Sequence, residues 1–203
     1  MSPPSDNSTQ ASNLLTPASH AEYNAEERAL LLRLAHQSIE SAFEGRTPSF
    51  DPPSPHLSEQ RGAFTTLYLH GELRGCVGYV FPIASLYRTV AETARAAAFE
   101  DRRFHSVRSD EAPLLRISLS ILSLLTPIQP QDVIVGRHGL LVSHGIHRGL
   151  LLPQVPVDHG WNRETFLNET CRKAGLPANA WRHGADLQGF TAEVFGEPGT
   201  ENS

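Results

Sequence analysis

Two strand-like patterns joined by a tight turn are the feature that most constrains the fold of this chain. Residues 64–70 are rich in aromatic and β-branched side chains, and residues 73–79 alternate in the manner of a second strand. Only Gly71-Glu72 separates them. A turn this short can join only neighbouring antiparallel strands, so the sequence predicts a β-hairpin over residues 64–79.

The second strand of this hairpin contains a candidate active site. Strand alternation places Arg74, Cys76 and Gly78 on one face, with Arg74 and Cys76 roughly 6.5 Å apart. A guanidinium at that range favours the thiolate form of a cysteine. Gly75 and Gly78 lack a Cβ, so a second backbone or a substrate can approach closely. The alternative is that Cys76 is a small buried core residue.

The rest of the chain predicts an α+β fold, with a mostly antiparallel sheet flanked by helices. Asn24 and Glu27 form a capping-box pattern before a first helix, and Asn162 can cap a later one. Between them, residues 82–100 form an amphipathic helix pattern rich in alanine. Strands are predicted at 115–125, 139–142, 150–152 and 188–195. Because the predicted strands form hairpins and do not alternate regularly with helices as in βαβ units, the α+β class is favoured.

Composition limits the domain plan and the class of protein. We expect a disordered tail at residues 1–21, a single domain at 22–196 and a flexible tail at 197–203. The net charge of −5 argues against nucleic-acid binding. The sequence contains no apolar run that could span a membrane and no secretory signal. A cytoplasmic protein with no membrane association is therefore predicted.

The remaining candidate residues each have two interpretations. Asp101 and Arg103 follow the alanine-rich helix, where the helix dipole favours a cation. In the alternative interpretation, Arg103 reaches an anionic group of a ligand, and Asp101 orients Arg103 or a general base. Ser118 can line a cleft or face water. Cys171 lies on an apolar helical stripe and is predicted to be structural.

The histidines do not form a metal-binding pattern. The spacing of His138, His144, His147 and His159 matches no known ligand motif, so no metal and no cofactor are predicted. One of these histidines can still serve as a general base for Cys76, because such pairs form in space rather than along the sequence.

Several spaced motifs resemble one family. Residues 73–78, Leu-Arg-Gly-Cys-Val-Gly, resemble the signature of the AmmeMemoRadiSam system protein A family, the AMMECR-type domain. The resemblance continues, in the family's order, through residues 97–104, 138–140, 152–155, 160–161, 166–167 and 171–177. Departures are small: Val77 stands where isoleucine is commoner, His105 where many relatives have proline, and Asn162 where aspartate is commoner.

The resemblance implies two subdomains with the Arg74/Cys76 strand lining a cleft between them. It also implies a Memo-like protein and a radical SAM enzyme as partners, but no settled activity. The predicted catalytic residues are Cys76, Arg74, Asp101 and Arg103, and the predicted ligand-binding residues are Gly75, Gly78, Phe104 and Ser118.

Two functions remain open at this point. In the first, the protein is an enzyme that acts on an unknown small molecule with Cys76 as nucleophile or carrier. In the second, it is a binding or adaptor module that docks the two partner proteins without bond chemistry.

Overall fold

The computed structural model describes residues 21–46 and 54–200, so most of the predicted N-terminal tail and residues 201–203 lie outside it. Its helices are α1 (Ala25–Phe43), α2 (Leu86–Phe99), α3 (Val155–Asp158) and α4 (Arg163–Lys173). Its strands are β1 (Ala63–Leu69), β2 (Glu72–Tyr79), β3 (Leu115–Leu122), β4 (Thr126–Pro127), β5 (Gly139–His144), β6 (His147–Leu151), β7 (Asp186–Phe190) and β8 (Ala192–Gly196).

The strands form two four-stranded sheets, and every pairing in them is antiparallel. The first sheet has the order β2-β1-β3-β8 and the second the order β4-β7-β5-β6. The α+β class and the hairpin of β1 and β2 are thereby confirmed. The chain leaves the first sheet after β3, builds the second, and returns as β8 beside β3. The two sheets correspond to the two subdomains that the family resemblance implies.

The first sheet packs one face against α1 and α2. Strand β3 alternates as predicted, and its inward side chains are buried in the main core: Leu115, Ile117, Leu119 and Ile121. Helix α2 contributes its alanines to the same core. Small side chains let the helix approach the sheet closely. At the closest point, a Cβ on Gly75 would lie 2.2 Å from the carbonyl oxygen of Ala97, so only glycine fits there.

The helix starts follow local capping. The Asn24 side chain accepts from the Glu27 N–H while the Glu27 carboxylate accepts from the Asn24 N–H, which confirms the capping box. The Asn162 side chain caps α4 by accepting from the Thr165 N–H. Helix α2 begins at Leu86 rather than Pro82, because Ser85 supplies the N-cap. Ile83, placed on the buried stripe by periodicity, precedes the helix and is 77% exposed.

The second sheet has its own smaller core, formed with α4 around Leu140, Phe166 and Leu167. Cys171 on α4 is fully buried, in agreement with its predicted structural role. Among the described residues, no helix has the length and apolar content needed to cross a membrane.

Candidate functional site

Cys76 lies on the face of the first sheet that is turned away from the helices. Its neighbour Gly75 faces α2, so strand alternation directs the Cys76 side chain to the opposite face. Thr66 is its register partner on β1, and the Thr66 hydroxyl donates a hydrogen bond to the Cys76 sulfur at 3.3 Å. Cys76 is half-buried rather than part of the core.

The Cys76 side chain opens into a cavity of about 740 Å³, called here the cysteine cavity. The first sheet contributes the polar residues Thr66, Tyr68, Ser118 and Ser120 and the apolar residues Phe64, Val194 and Phe195. Leu152 and Gln154 reach it from the segment between β6 and α3. The cavity therefore lies between the two halves of the molecule, where the family resemblance implies a cleft.

The backbone of Cys76 is held by an ion pair from the loop after α2. Strand β2 is an edge strand, so every second residue turns its N–H and C=O away from β1. At Cys76 the N–H donates to Asp101 Oδ2 at 2.9 Å, and the carbonyl accepts from Arg103 Nη2 at 3.3 Å. Two side chains thus take the place of a further strand and fix the position of the cysteine.

Asp101 and Arg103 are strongly coupled to each other. Arg103 donates through Nη2 to Asp101 Oδ2 at 2.7 Å and through Nε to Oδ1 at 3.0 Å. This contact is the largest influence holding the pKa of Asp101 well below its usual range, and the Cys76 N–H adds to it. The pKa of Arg103 is raised, chiefly by Asp101 and to a smaller extent by Cys76. Both groups therefore remain charged at neutral pH.

Arg74 points away from the cysteine cavity. The register of β1 and β2 shifts between Leu67 and Tyr68, so Arg74 is the extra residue of a β-bulge. A bulge re-aims the side chain at the irregularity. The Arg74 guanidinium donates to the carbonyls of His105 and Ser106 and pairs with Glu111 at 3.0 Å. The guanidinium that contacts Cys76 is that of Arg103.

Arg74 lines a second pocket of about 460 Å³, called here the arginine pocket. Its walls consist of Arg74, Arg102, Arg103 and Arg108 together with Phe104, His105, Ser106 and Glu111. Arg103 thus lies between the two cavities, because it lines the arginine pocket and also contacts Cys76.

The four predicted ligand-binding residues lie in four different places. Ser118 lines the cysteine cavity, whereas Phe104 lines the arginine pocket. Gly75 is the contact point with α2. Gly78 lies beneath the ring of Phe64, since a Cβ there would come within 2.1 Å of that ring.

The described residues provide no histidine in the wall of the cysteine cavity. Of the four histidines considered above, His138 accepts a hydrogen bond from the Ile134 N–H and His159 stacks on Trp161. His144 and His147 pair at the turn of the β5–β6 hairpin. None of these four histidines lines the cysteine cavity.

One cluster elsewhere has the geometry of a metal site. Potential ligand atoms of Glu22, His56 and Glu59 lie within 4.8 Å of one another. Arg61 pairs with both carboxylates, at 2.5 and 2.8 Å, and supplies the positive charge that a metal would otherwise bring. The cluster is therefore accounted for as a salt-bridge network.

Several residues of the cysteine cavity are not found by sequence reasoning. Thr66 can be inferred once the hairpin register is assumed, because it faces Cys76 across the strand pair. Gln154, Glu197 and Thr200 have no local signal, since they come from distant segments. The last two fall in the predicted flexible tail, yet Glu197 accepts from the Ile117 N–H and pairs with His36.

Comparisons with known proteins agree on one family. The sequence model of the AMMECR1 family matches residues 32–195. A protein of Thermofilum pendens is 40% identical over 195 residues, covering 86% of this chain and 91% of its own length. A protein of Thermococcus onnurineus is 41% identical over 183 residues, covering 82% of this chain and 88% of its own.

A solved structure agrees with the fold as well. The crystal structure of the uncharacterized protein PH0010 from Pyrococcus horikoshii is similar, with a TM-score of 0.68 and 39% sequence identity. The match covers 83% of this chain and 90% of that one. From the family match and these relatives, we conclude that the chain belongs to the AMMECR1 family.

Proposed function

We propose that this protein is an enzyme in which Cys76 attacks, and transiently carries, an acyl or similar electrophilic group of a small molecule bound in the cysteine cavity. One observation carries the proposal: the Cys76 sulfur opens into a cavity large enough for a small molecule, while its backbone is fixed on both sides. A cysteine that served only to fill the core would need neither an adjoining cavity nor the backbone contacts with Asp101 and Arg103.

The surroundings of the sulfur suit a nucleophile. The Thr66 hydroxyl donates a hydrogen bond to the sulfur, which helps to fix the orientation of the Cys76 side chain. The positive charge of Arg103 lies against the same residue. Arg103 acts here as a positioning residue together with Asp101, because their contacts are to the Cys76 backbone.

The proposed step is an acyl transfer. The Cys76 sulfur forms a bond to the carbonyl carbon of an activated acyl donor, and the leaving group departs with the electrons of its bond. The thiol proton passes to water or to the leaving group. A second nucleophile then takes the acyl group and releases the thiol. Each half-step conserves electrons, so no redox partner is required.

The cavity also points to a class of substrate. Glu197 is the only charged side chain in the described part of its wall, and the rest consists of hydroxyl, amide and apolar groups. An anionic substrate would find no cation there. We therefore propose a neutral or cationic acyl compound with an apolar portion, which can lie against Phe64 and Val194.

Alkylation of the native protein by iodoacetamide tests the accessibility of the sulfur. Mass spectrometry of the two cysteine peptides gives the rates separately, with fully buried Cys171 as the internal control. We expect Cys76 to react at least about tenfold faster. The substitution Thr66→Val should change the Cys76 rate, whereas Thr126→Val on the exposed strand β4 should not. Equal, slow labelling of both cysteines would rule out a reactive thiol.

A cellular experiment separates the enzyme from the alternative. In a strain that requires the gene, Cys76→Ser should abolish function while the protein remains folded. Full function in that variant would end the catalytic proposal.

The second candidate is a non-catalytic adaptor, and the absence of a histidine from the described wall of the cavity favours it. In this proposal the chain docks a Memo-like protein and a radical SAM protein, the partners that the family resemblance implies. Retained co-purification of both partners with Cys76→Ala, together with retained cellular function, would favour the adaptor. Loss of function with partner binding intact would favour the enzyme.

A further inference from the structure

We propose that the arginine pocket is a binding site for the phosphate group of a phosphorylated small molecule. This site is separate from the cysteine cavity, and the proposal does not depend on catalysis by Cys76. The pocket gathers four arginines from β2 and from the loops that follow α2, in a chain whose net charge is −5.

Arg74 forms a fixed wall of this pocket. Its side chain is 15% exposed, and the two backbone carbonyls and Glu111 hold its guanidinium in one orientation. A guanidinium fixed in this way loses little further freedom when a ligand oxygen approaches it.

The other three arginines form a more open rim. Arg102 is exposed and makes no ion pair or hydrogen bond within the described residues. Arg108 is 69% exposed and pairs with Asp110, which is equally exposed. A solvent-exposed pair of this kind contributes little stability, so an anion can replace the carboxylate at small cost.

The charge balance remains positive when the three acids that pair with these arginines are included. Asp101, Asp110 and Glu111 each pair with one arginine, and Arg102 is left as the unmatched positive charge. Guanidinium groups recognise phosphate through two parallel N–H···O bonds, a geometry that lysine cannot offer.

Phe104 and the pocket volume indicate more than a bare anion. The Arg103 guanidinium lies 5.4 Å from the centre of the Phe104 ring, so the pocket wall combines a cation with an aromatic face. The volume of about 460 Å³ falls in the range of small-molecule sites and exceeds what one phosphate needs. A sugar phosphate or a similar compound is the class that fits.

Calorimetric titration of the full-length protein with inorganic phosphate, pyrophosphate and ribose 5-phosphate tests the site. Ionic strength is held constant with chloride, so that general screening does not change. We expect saturable binding of one ligand per chain, tightest for ribose 5-phosphate. Arg102→Gln and Arg108→Gln should each weaken binding by about tenfold. Both side chains are exposed, so the variants should fold normally.

Arg88→Gln is the matched control, because Arg88 is 72% exposed, pairs with Glu92 on α2 and does not line the pocket. It should bind as the wild type does. Binding that does not saturate, or an equal loss in all three variants, would overturn the site. Equal affinity for succinate would overturn the preference for phosphate. Cys76→Ser should leave phosphate binding unchanged, which distinguishes failure of this site from failure of the catalytic proposal.

Discussion

The two halves of the molecule share a packing device but use their cysteines differently. In the first half, Gly75 lies against the backbone of α2, and in the second, Gly149 lies against the end of α4. A Cβ on either glycine would come within 2.2 Å of helix backbone, at Ala97 and at Ala174. Each glycine therefore lets a helix approach its sheet.

The difference lies in the face that each cysteine occupies. Cys76 follows Gly75 on the strand, so its side chain leaves on the side opposite the helix and reaches the cysteine cavity. Cys171 lies on the inner stripe of α4 and is fully buried. The comparison teaches that Gly75, although it is next to Cys76, is required for the packing of α2. Whether the thiol is accessible depends instead on the opposite face of the strand, which is turned away from α2.

Substitution of the two packing glycines should have the largest effect on the unfolding free energy. Gly75→Ala and Gly149→Ala should each cost about 3 kcal/mol of unfolding free energy, because the new methyl group meets backbone that cannot rotate away. Urea unfolding followed by circular dichroism measures this. Gly189→Ala is the control, since its nearest neighbour is the flexible Ile128 side chain at 3.0 Å. A loss at Gly189 as large as at Gly75 would contradict the packing argument.

Serine substitutions sharpen the contrast between the two cysteines. Cys171→Ser places a hydroxyl in a fully buried position and should cost about 2 kcal/mol. Cys76→Ser keeps its contact with Thr66 and should change the unfolding free energy by less than about 0.5 kcal/mol. The same urea titration compares them. Equal costs would mean that Cys76 is also a core residue.

The ion pair of Asp101 and Arg103, which holds the backbone of Cys76, should make the unfolding free energy depend on pH. The lowered pKa of Asp101 means that its carboxylate stabilises the fold above about pH 4, and that this contribution is lost as pH falls through the native pKa. Asp101→Asn should therefore cost about 1.5 kcal/mol at pH 7 and progressively less at lower pH. Unfolding free energies measured from pH 7 down to pH 3 test this.

Asp110→Asn is the control for that series. Asp110 also pairs with an arginine two positions away, but both partners are largely exposed. The variant should match the wild type at pH 7 within the error of the measurement. A constant difference between Asp101→Asn and wild type across the whole pH range would show that the charge of Asp101 is not responsible.

Removal of the two helix N-caps, one in each half of the molecule, should have the smallest effect on stability. Asn24→Ala and Asn162→Ala should each cost about 1 kcal/mol, because each leaves one backbone N–H without its acceptor. If the two halves unfold as one unit, both variants shift the same single transition. Two separate transitions would show that the halves unfold independently.

Sequence reasoning succeeded where neighbouring residues set the outcome. Three predictions of this kind are the capping box of Asn24, the hairpin of β1 and β2, and the buried position of Cys171. The first two depend on contacts within a few residues, and the third depends on the helical periodicity of apolar side chains. It failed at Arg74, because a bulge in the register broke the alternation from which the pairing with Cys76 was inferred.

The sequence by itself therefore determined the family, the α+β class and the strand that contains Cys76, since these follow from motifs, caps and periodicity. Only the tertiary structure decided that Arg103 rather than Arg74 contacts Cys76, and that Gln154 and Thr200 share its cavity. The arginine pocket likewise appears only after folding. The physical reason is that cavity walls are assembled from segments far apart in the chain, whose relative positions are set by the packing of sheets and helices.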